Sequence, residues 1–263
     1  MRRLAGKRIV VTRAEQQAAD LCGLLEAEGA IPIRCPSIRI AAPDSYEALD
    51  AGLHRLHEYR WIVFTSANAV RAVLDRMRQI DVPDGALAAT YVAAVGPRTL
   101  HELEARGIPV AYVPEEHRSA ALAEQLQVES GARILLPRSE IASRDPIGTL
   151  RGRGVEVDAV VAYRTVLAPH NPTVVAELRR GFDAITFTSP STVEGFIHAR
   201  PEWRDLLRSA IVVTVGPVTS AAVRSAGIHM HFEARGRTME GLTEALVAAL
   251  TKHFPGVEET ARA

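Results

Sequence analysis

Short apolar runs without polar alternation recur along the chain: RIVV at 8–11, WIVF at 61–64, YVAAV at 91–95 and ITFT at 185–188. Runs of that length and character predict strands buried on both faces. Elsewhere the apolar positions fall three or four apart, over 18–28 and 99–106, which predicts amphipathic helices closed by Gly29 and Gly107. Strands alternating with helices predict an α/β fold of parallel sheets flanked by helices. In such sheets a ligand sits beyond the carboxyl ends of the strands.

The pattern occurs twice. KRIVVTR (7–13) returns as ARILLPR (132–138), and LLEAEGAIPIRCPSIRI (24–40) as TLRGRGVEVDAVVAYRT (149–165). FTSANAV (64–70) returns as FTSPSTV (187–193), and YVAAVGPRTLHELEARGIPVAYV (91–113) as IVVTVGPVTSAAVRSAGIHMHFE (211–233). SAALAEQL (119–126) is answered by TMEGLTEAL (238–246). Blocks in one order, repeated at a spacing of about 120 residues, identify two diverged copies of one unit and predict two similar domains.

The polar residues shared by the copies fall at predicted strand ends: Arg13, Thr65 with Ser66, Gly96, Arg138, Thr188 with Ser189, and Gly216; Ser139, beside Arg138, is a further candidate substrate contact. Ser, Thr or Gly before a helix, with Pro in its first turn, leaves helical N–H groups and the positive end of the dipole facing outward. That arrangement accepts carboxylate or phosphate. For a single turn, capping alone explains the residues; four such turns, paired by repeat, favour anion binding in a cleft between two domains. Tyr163 is the asymmetric feature, because its repeat mate is Ile38. A lone phenol near the end of a strand can donate a proton or a hydrogen bond, or can simply pack in a linker.

Composition narrows the classes. The 263 residues carry 31 Lys plus Arg and 31 Asp plus Glu, a zero balance that does not suit a nucleic-acid binder. No apolar run approaches the length of a membrane span, and MRRLAGKRIVVTR lacks a signal-peptide core, so a cytoplasmic protein is expected. Two cysteines, Cys22 and Cys35, cannot make a disulfide framework. The pairs His54/His57 and His229/His231 lack companion ligands at metal spacing, so no metal is expected. Nucleotide-cradling glycine loops and nucleophile elbows are also missing.

Taken in order, VTR, FTS, VGP-x-T, LLPR, VVAYRT and the second FTS and VGP-x-T resemble the uroporphyrinogen-III synthase family over nearly the whole chain, from Lys7 to about Leu250. Ser139 departs from that pattern, standing where glycine often follows Pro-Arg. The resemblance implies a cofactor-free lyase that closes hydroxymethylbilane to uroporphyrinogen III, with loss of water and inversion of the last pyrrole ring. It implies domains of 1–36 plus 168–263 and of 39–164, joined by linker strands at 35–40 and 163–168. It places Tyr163 as the catalytic candidate, and Thr99 and Thr219 with the strand-end residues as substrate contacts. It implies a monomer with a small-molecule substrate, and leaves room for a hand-over from the bilane-forming enzyme. A non-catalytic tetrapyrrole- or anion-binding module on the same scaffold is the rival reading; it would be expected to carry an extra regulatory domain, for which the tail HFPGVEETARA is too short.

Overall fold

The computed structural model describes residues 2–253 except His170, Arg200, Pro201 and Arg237; the tail residues 254–263 lie outside the described residues. In chain order the elements are β1 (Arg8–Val11), α1 (Glu15–Ala27), β2 (Ile31–Arg34), β3 (Ile38–Ala41), α2 (Glu47–His54), β4 (Trp61–Phe64) and α3 (Ala67–Gln79). There follow β5 (Tyr91–Ala94), α4 (Pro97–Glu104), α5 (Ser119–Gln125), β6 (Arg133–Ser139), α6 (Asp145–Gly152) and β7 (Glu156–Leu167). The chain then forms α7 (Pro172–Arg179), β8 (Ala184–Phe187), α8 (Pro190–Ala199), α9 (Trp203–Leu206), β9 (Ile211–Thr214), α10 (Pro217–Ser225), β10 (Phe232–Glu233) and α11 (Met239–His253).

These elements make two compact units, Met1–Arg39 with Val166–Ala263, and Ile40–Thr165. The first holds a sheet of order β10-β9-β8-β1-β2, the second a sheet of order β3-β7-β6-β4-β5. β1 runs parallel to β8, with Ile9 opposite Ala184 and Val11 opposite Thr186. β4 runs parallel to β6, with Trp61 opposite Ile134. Each copy of the sequence repeat therefore supplies strands to both sheets. The crossings are made by β3 and β7, neighbours in the second sheet. β3 begins only at Ile38, after Pro36 and Ser37 have turned the chain, and β7 is one continuous strand of 12 residues. Tyr163 thus lies inside β7, four residues before its end, and not at a strand terminus as its sequence position suggested.

The absence of alternation in the apolar runs has a direct cause. Within β4, Ile62 and Phe64 enter one core cluster while Trp61 and Val63 enter another. Within β1, Ile9 and Val11 face one cluster and Val10 the other. Both faces of each sheet are covered, so neither parity of residue meets water. Gly29 and Gly107 follow the ends of α1 and α4 with φ of 84° and 69°, the left-handed conformation that a C-terminal cap requires.

The first unit grips the start of the crossing segment through Ser37, which is fully buried. Its hydroxyl lies 3.1 Å from the Thr12 carbonyl and 2.9 Å from the Thr192 carbonyl, tying this segment to β1 and α8. α8 can approach so closely because Gly195 has no side chain: a Cβ there would lie 2.5 Å from the Ser37 carbonyl oxygen and 2.9 Å from Ile38 Cγ2. Gly195→Ala is accordingly expected to destabilise the protein by about 1–3 kcal/mol through overpacking. Urea unfolding checks this, with Gly148→Ala, which meets nothing within 4 Å, as the near-neutral control.

Candidate functional site

The polar signatures fall at the carboxyl ends of the strands because each strand there hands over to a helix. In the second unit, β4 ends at Phe64 and Ser66 caps α3, its Oγ accepting from the Ala69 N–H at 3.1 Å. The same Oγ is 3.0 Å from the phenol oxygen of Tyr163 on β7. Tyr163 belongs to the core cluster that includes Phe64, Val70 and Leu135, and the residue is 7 % exposed. Gly96 caps α4 with Pro97 in its first turn, and Thr99 is buried in that same turn.

Arg138 and Ser139 close β6. The register shifts between them, so that Ser139 comes to lie opposite Tyr163 on β7. Both are more than nine-tenths buried. The Arg138 guanidinium donates to the carbonyls of Ser139 and Ala142, and no carboxylate among the described residues forms an ion pair with it. Burial, and the like charge of Arg144, push its pKa below the ordinary arginine value. The Ser139 hydroxyl is buried without a hydrogen-bond partner among the described residues. A desolvated cation beside an unsatisfied hydroxyl is an arrangement an anion would complete.

In the first unit the equivalent positions are closed by the protein itself. Arg13 is 2 % exposed, with its guanidinium against the Met239 sulfur and donating to Gln17 Oε1 at 3.1 Å. The turn at Thr188 and Ser189 folds onto Thr192: the Thr192 hydroxyl oxygen accepts from the N–H of Thr188 at 3.3 Å and of Ser189 at 3.2 Å. Ser189 Oγ in turn accepts from the Thr192 N–H at 3.3 Å and meets Ser191 Oγ at 2.9 Å. Gly216 caps α10 ahead of Pro217, and Thr219 is buried. Beside it Ser220 Oγ bridges Thr214 and Glu233. The structure therefore joins Ser66 to Tyr163 and sets Ser139 opposite Tyr163 on the neighbouring strand, with Arg138 preceding it at the end of β6 in the same unit. It leaves Thr65, Gly96 and Thr99 on the neighbouring turns, and it places Arg13, Thr188, Ser189, Gly216 and Thr219 in the other unit.

The family model for uroporphyrinogen-III synthase HemD matches residues 6–244. The chain belongs to the uroporphyrinogen-III synthase family. It is 31 % identical over 257 residues to the uroporphyrinogen-III synthase of Synechococcus elongatus, covering 92 % of this chain and 95 % of that one. It is 29 % identical over 249 residues to the porphyrin biosynthesis protein HemD of Ruminiclostridium josui, covering 93 % of this chain and 49 % of that longer one. A crystal structure of a mutant uroporphyrinogen III synthase from the extremely thermophilic bacterium Thermus thermophilus has the same fold, with a TM-score of 0.65 at 19 % identity over 94 % of this chain and all of that one.

Among the described residues no group of three or more His, Cys, Asp or Glu is placed to hold a metal, and no helix is long and apolar enough to cross a membrane. The His229 and His231 rings meet edge to face at 4.5 Å. Cys22 and Cys35 are buried, and desolvation raises both thiol pKa values, that of Cys35 to about 12. Both thiols are therefore held protonated near neutral pH.

Two features of the site escape sequence reasoning. The Ser66–Tyr163 contact joins residues 97 apart, and the closure of the second FTS turn depends on one side chain three residues into α8. For the latter a signal was present: Thr192 aligns with Ala69 in the paired motifs, so only one copy carries the hydroxyl. Thr192→Val, which keeps shape and removes the hydroxyl, is expected to destabilise the protein by about 1–3 kcal/mol because two backbone N–H groups lose their acceptor. Thermal and urea unfolding of the variant beside the wild type check this, and a loss within about 0.3 kcal/mol, close to the error of such measurements, would show that water replaces the hydroxyl.

Proposed function

We propose that this chain closes the linear tetrapyrrole hydroxymethylbilane to uroporphyrinogen III, with Tyr163 assisting departure of the terminal hydroxyl. The observation that supports this most directly is the second unit's strand-end cluster. A core-anchored phenol in contact with Ser66 Oγ shares its edge with a buried arginine that has no carboxylate partner among the described residues. The first can supply a proton, the second can receive a substrate carboxylate. The N–H groups at the starts of α3 and α4 offer further carboxylate contacts.

The chemistry then follows in three steps. Protonation of the leaving hydroxyl releases water and gives an azafulvene cation. The substituted carbon at the far end of the chain attacks that cation. The resulting spiro intermediate fragments and recloses with the last ring inverted, and the ring carbon that gives up a proton restores the phenol. Because the free bilane closes in water to the unflipped isomer, the protein's main task is holding a near-attack shape, an effect that can be worth about 7–11 kcal/mol. A cytoplasmic location, a monomeric working unit and delivery of the bilane from the enzyme that makes it fit this reading.

An assay that supplies hydroxymethylbilane and resolves isomers I and III tests the proposal; wild-type protein yielding only isomer I would overturn it. Tyr163→Phe is expected to slow isomer III formation by about 10²-fold, the low end for loss of an assisting acid, with cooperative melting retained. Arg138→Gln is expected to raise KM about tenfold with a smaller effect on kcat, as loss of one charge-assisted contact to a carboxylate would.

A further inference from the structure

Ser66 sits where a substrate-binding hydroxyl would be expected, but its bonds point elsewhere. A serine hydroxyl has one proton and two lone pairs. The Ala69 N–H occupies one lone pair at 3.1 Å, and the Tyr163 oxygen is the second neighbour at 3.0 Å. Two arrangements satisfy the pair. Either the phenol donates to Ser66, which turns its proton inward, or Ser66 donates to the phenol, which leaves the phenol proton free. We infer that Ser66 is the positioning residue for Tyr163, donating its hydroxyl proton to the phenol oxygen so that the phenol proton is presented to the leaving hydroxyl. The inference rests on the role proposed for Tyr163 above.

Three observations carry it. First, Ser66 Oγ accepts a backbone N–H at the positive end of α3, a helix of 13 residues. Accepting that bond polarises the Ser66 O–H and strengthens it as a donor. Second, Tyr163 is 7 % exposed and belongs to the core cluster that includes Phe64, Val70 and Leu135, so its ring is confined and the direction of its proton is set chiefly by the hydroxyl rotor. Third, the partnership is confined to one copy of the repeat. Ser189, the mate of Ser66, is spent on Ser191 and Thr192, and Ile38 occupies the place of Tyr163. A serine needed only as a cap would not require a phenol beside it.

The proton accounting is consistent. When the phenol O–H breaks, the hydroxymethyl C–O bond breaks and water leaves. The phenolate oxygen keeps the Ser66 O–H as a donor, and through it the N-terminal end of α3. The proton lost by the ring carbon at closure then returns to the phenolate, and Ser66 ends as it began.

Ser66→Gly is the informative variant, since glycine replaces serine as an N-cap with little loss of stability. Steady-state kinetics with isomers resolved should be measured for Ser66→Gly, Ser66→Thr, Tyr163→Phe and the Ser66→Gly/Tyr163→Phe double variant. Ser66→Gly is expected to lower kcat about tenfold with KM within about twofold, and Ser66→Thr to recover most of that loss. In the double variant, removal of Ser66 should change kcat by less than about twofold beyond Tyr163→Phe alone. Multiplying effects, or a raised KM at unchanged kcat, would overturn the inference and make Ser66 an independent substrate contact. Full activity of Ser66→Gly beside a slow Tyr163→Phe would overturn positioning alone. Full activity of Tyr163→Phe would remove the role of Tyr163 and this inference with it.

Discussion

The fold depends on one strand pair. β1 and β8 lie at the middle of the first sheet, and two buried threonines join them reciprocally: Thr12 donates to the Thr186 carbonyl at 2.7 Å, and Thr186 donates to the Val10 carbonyl at 3.1 Å. Asp183 adds a second clasp, accepting from the Arg8 N–H at 2.8 Å and pairing with Lys7. These residues are about 175 positions apart in sequence. Because the sheet's centre joins a segment before residue 40 to one after residue 165, everything between is an insertion into the first unit, and β3 and β7 serve as its entry and exit. The hydroxyls are well placed for this: they satisfy buried carbonyls that a plain apolar side chain would leave with one partner fewer.

Two copies of one unit have been put to different uses. In the first, the residues that could meet a ligand are turned inward. Arg13 packs against Met239, and Thr192 consumes the N–H groups of the FTS turn. In the second, the equivalent arginine is buried with no acid beside it among the described residues, alanine takes the place of Thr192 in the equivalent turn, and Ser66 is paired with a phenol. A buried Ser139 hydroxyl without a partner among the described residues, and a buried Arg138 that meets carbonyls but no carboxylate among them, cost stability, and such costs persist in proteins chiefly where function requires them. The contrast within one chain is informative because both copies carry the same sequence blocks, so the difference shows what a few changed side chains add.

Much of the fold was legible because its signals are local or periodic. Unalternating runs reported strands covered on both faces, Gly29 and Gly107 marked helix ends, and the repeated blocks predicted two similar domains but not that each copy divides between them. Strand limits were less legible. Nothing in VVAYRTVL marks where β7 stops, since β-branched residues continue past Tyr163 and the sheet alone decides how far they pair. Of the site, residue identities at strand ends could be read, because strand-to-helix turns demand small polar residues. Their partners could not. Whether an arginine meets an acid, a sulfur or nothing depends on contacts such as Arg13 with Met239, 226 residues away, and no spacing rule encodes them.

The insertion of one unit into the other also sets a timetable for synthesis. β1 leaves the ribosome early, yet its central partner β8 follows some 174 residues later. At about 5–20 residues per second, that interval lasts roughly 10–35 s. Throughout it RIVV has only β2 to pair with and the apolar face of α1 lacks the rest of its core, while the whole of 40–165 becomes available to fold. The N-terminal segment is therefore the nascent chain's exposed stretch, and a slowly folding middle would lengthen its wait. Chaperone dependence in this protein would then be governed by residues far from the segment that needs protection.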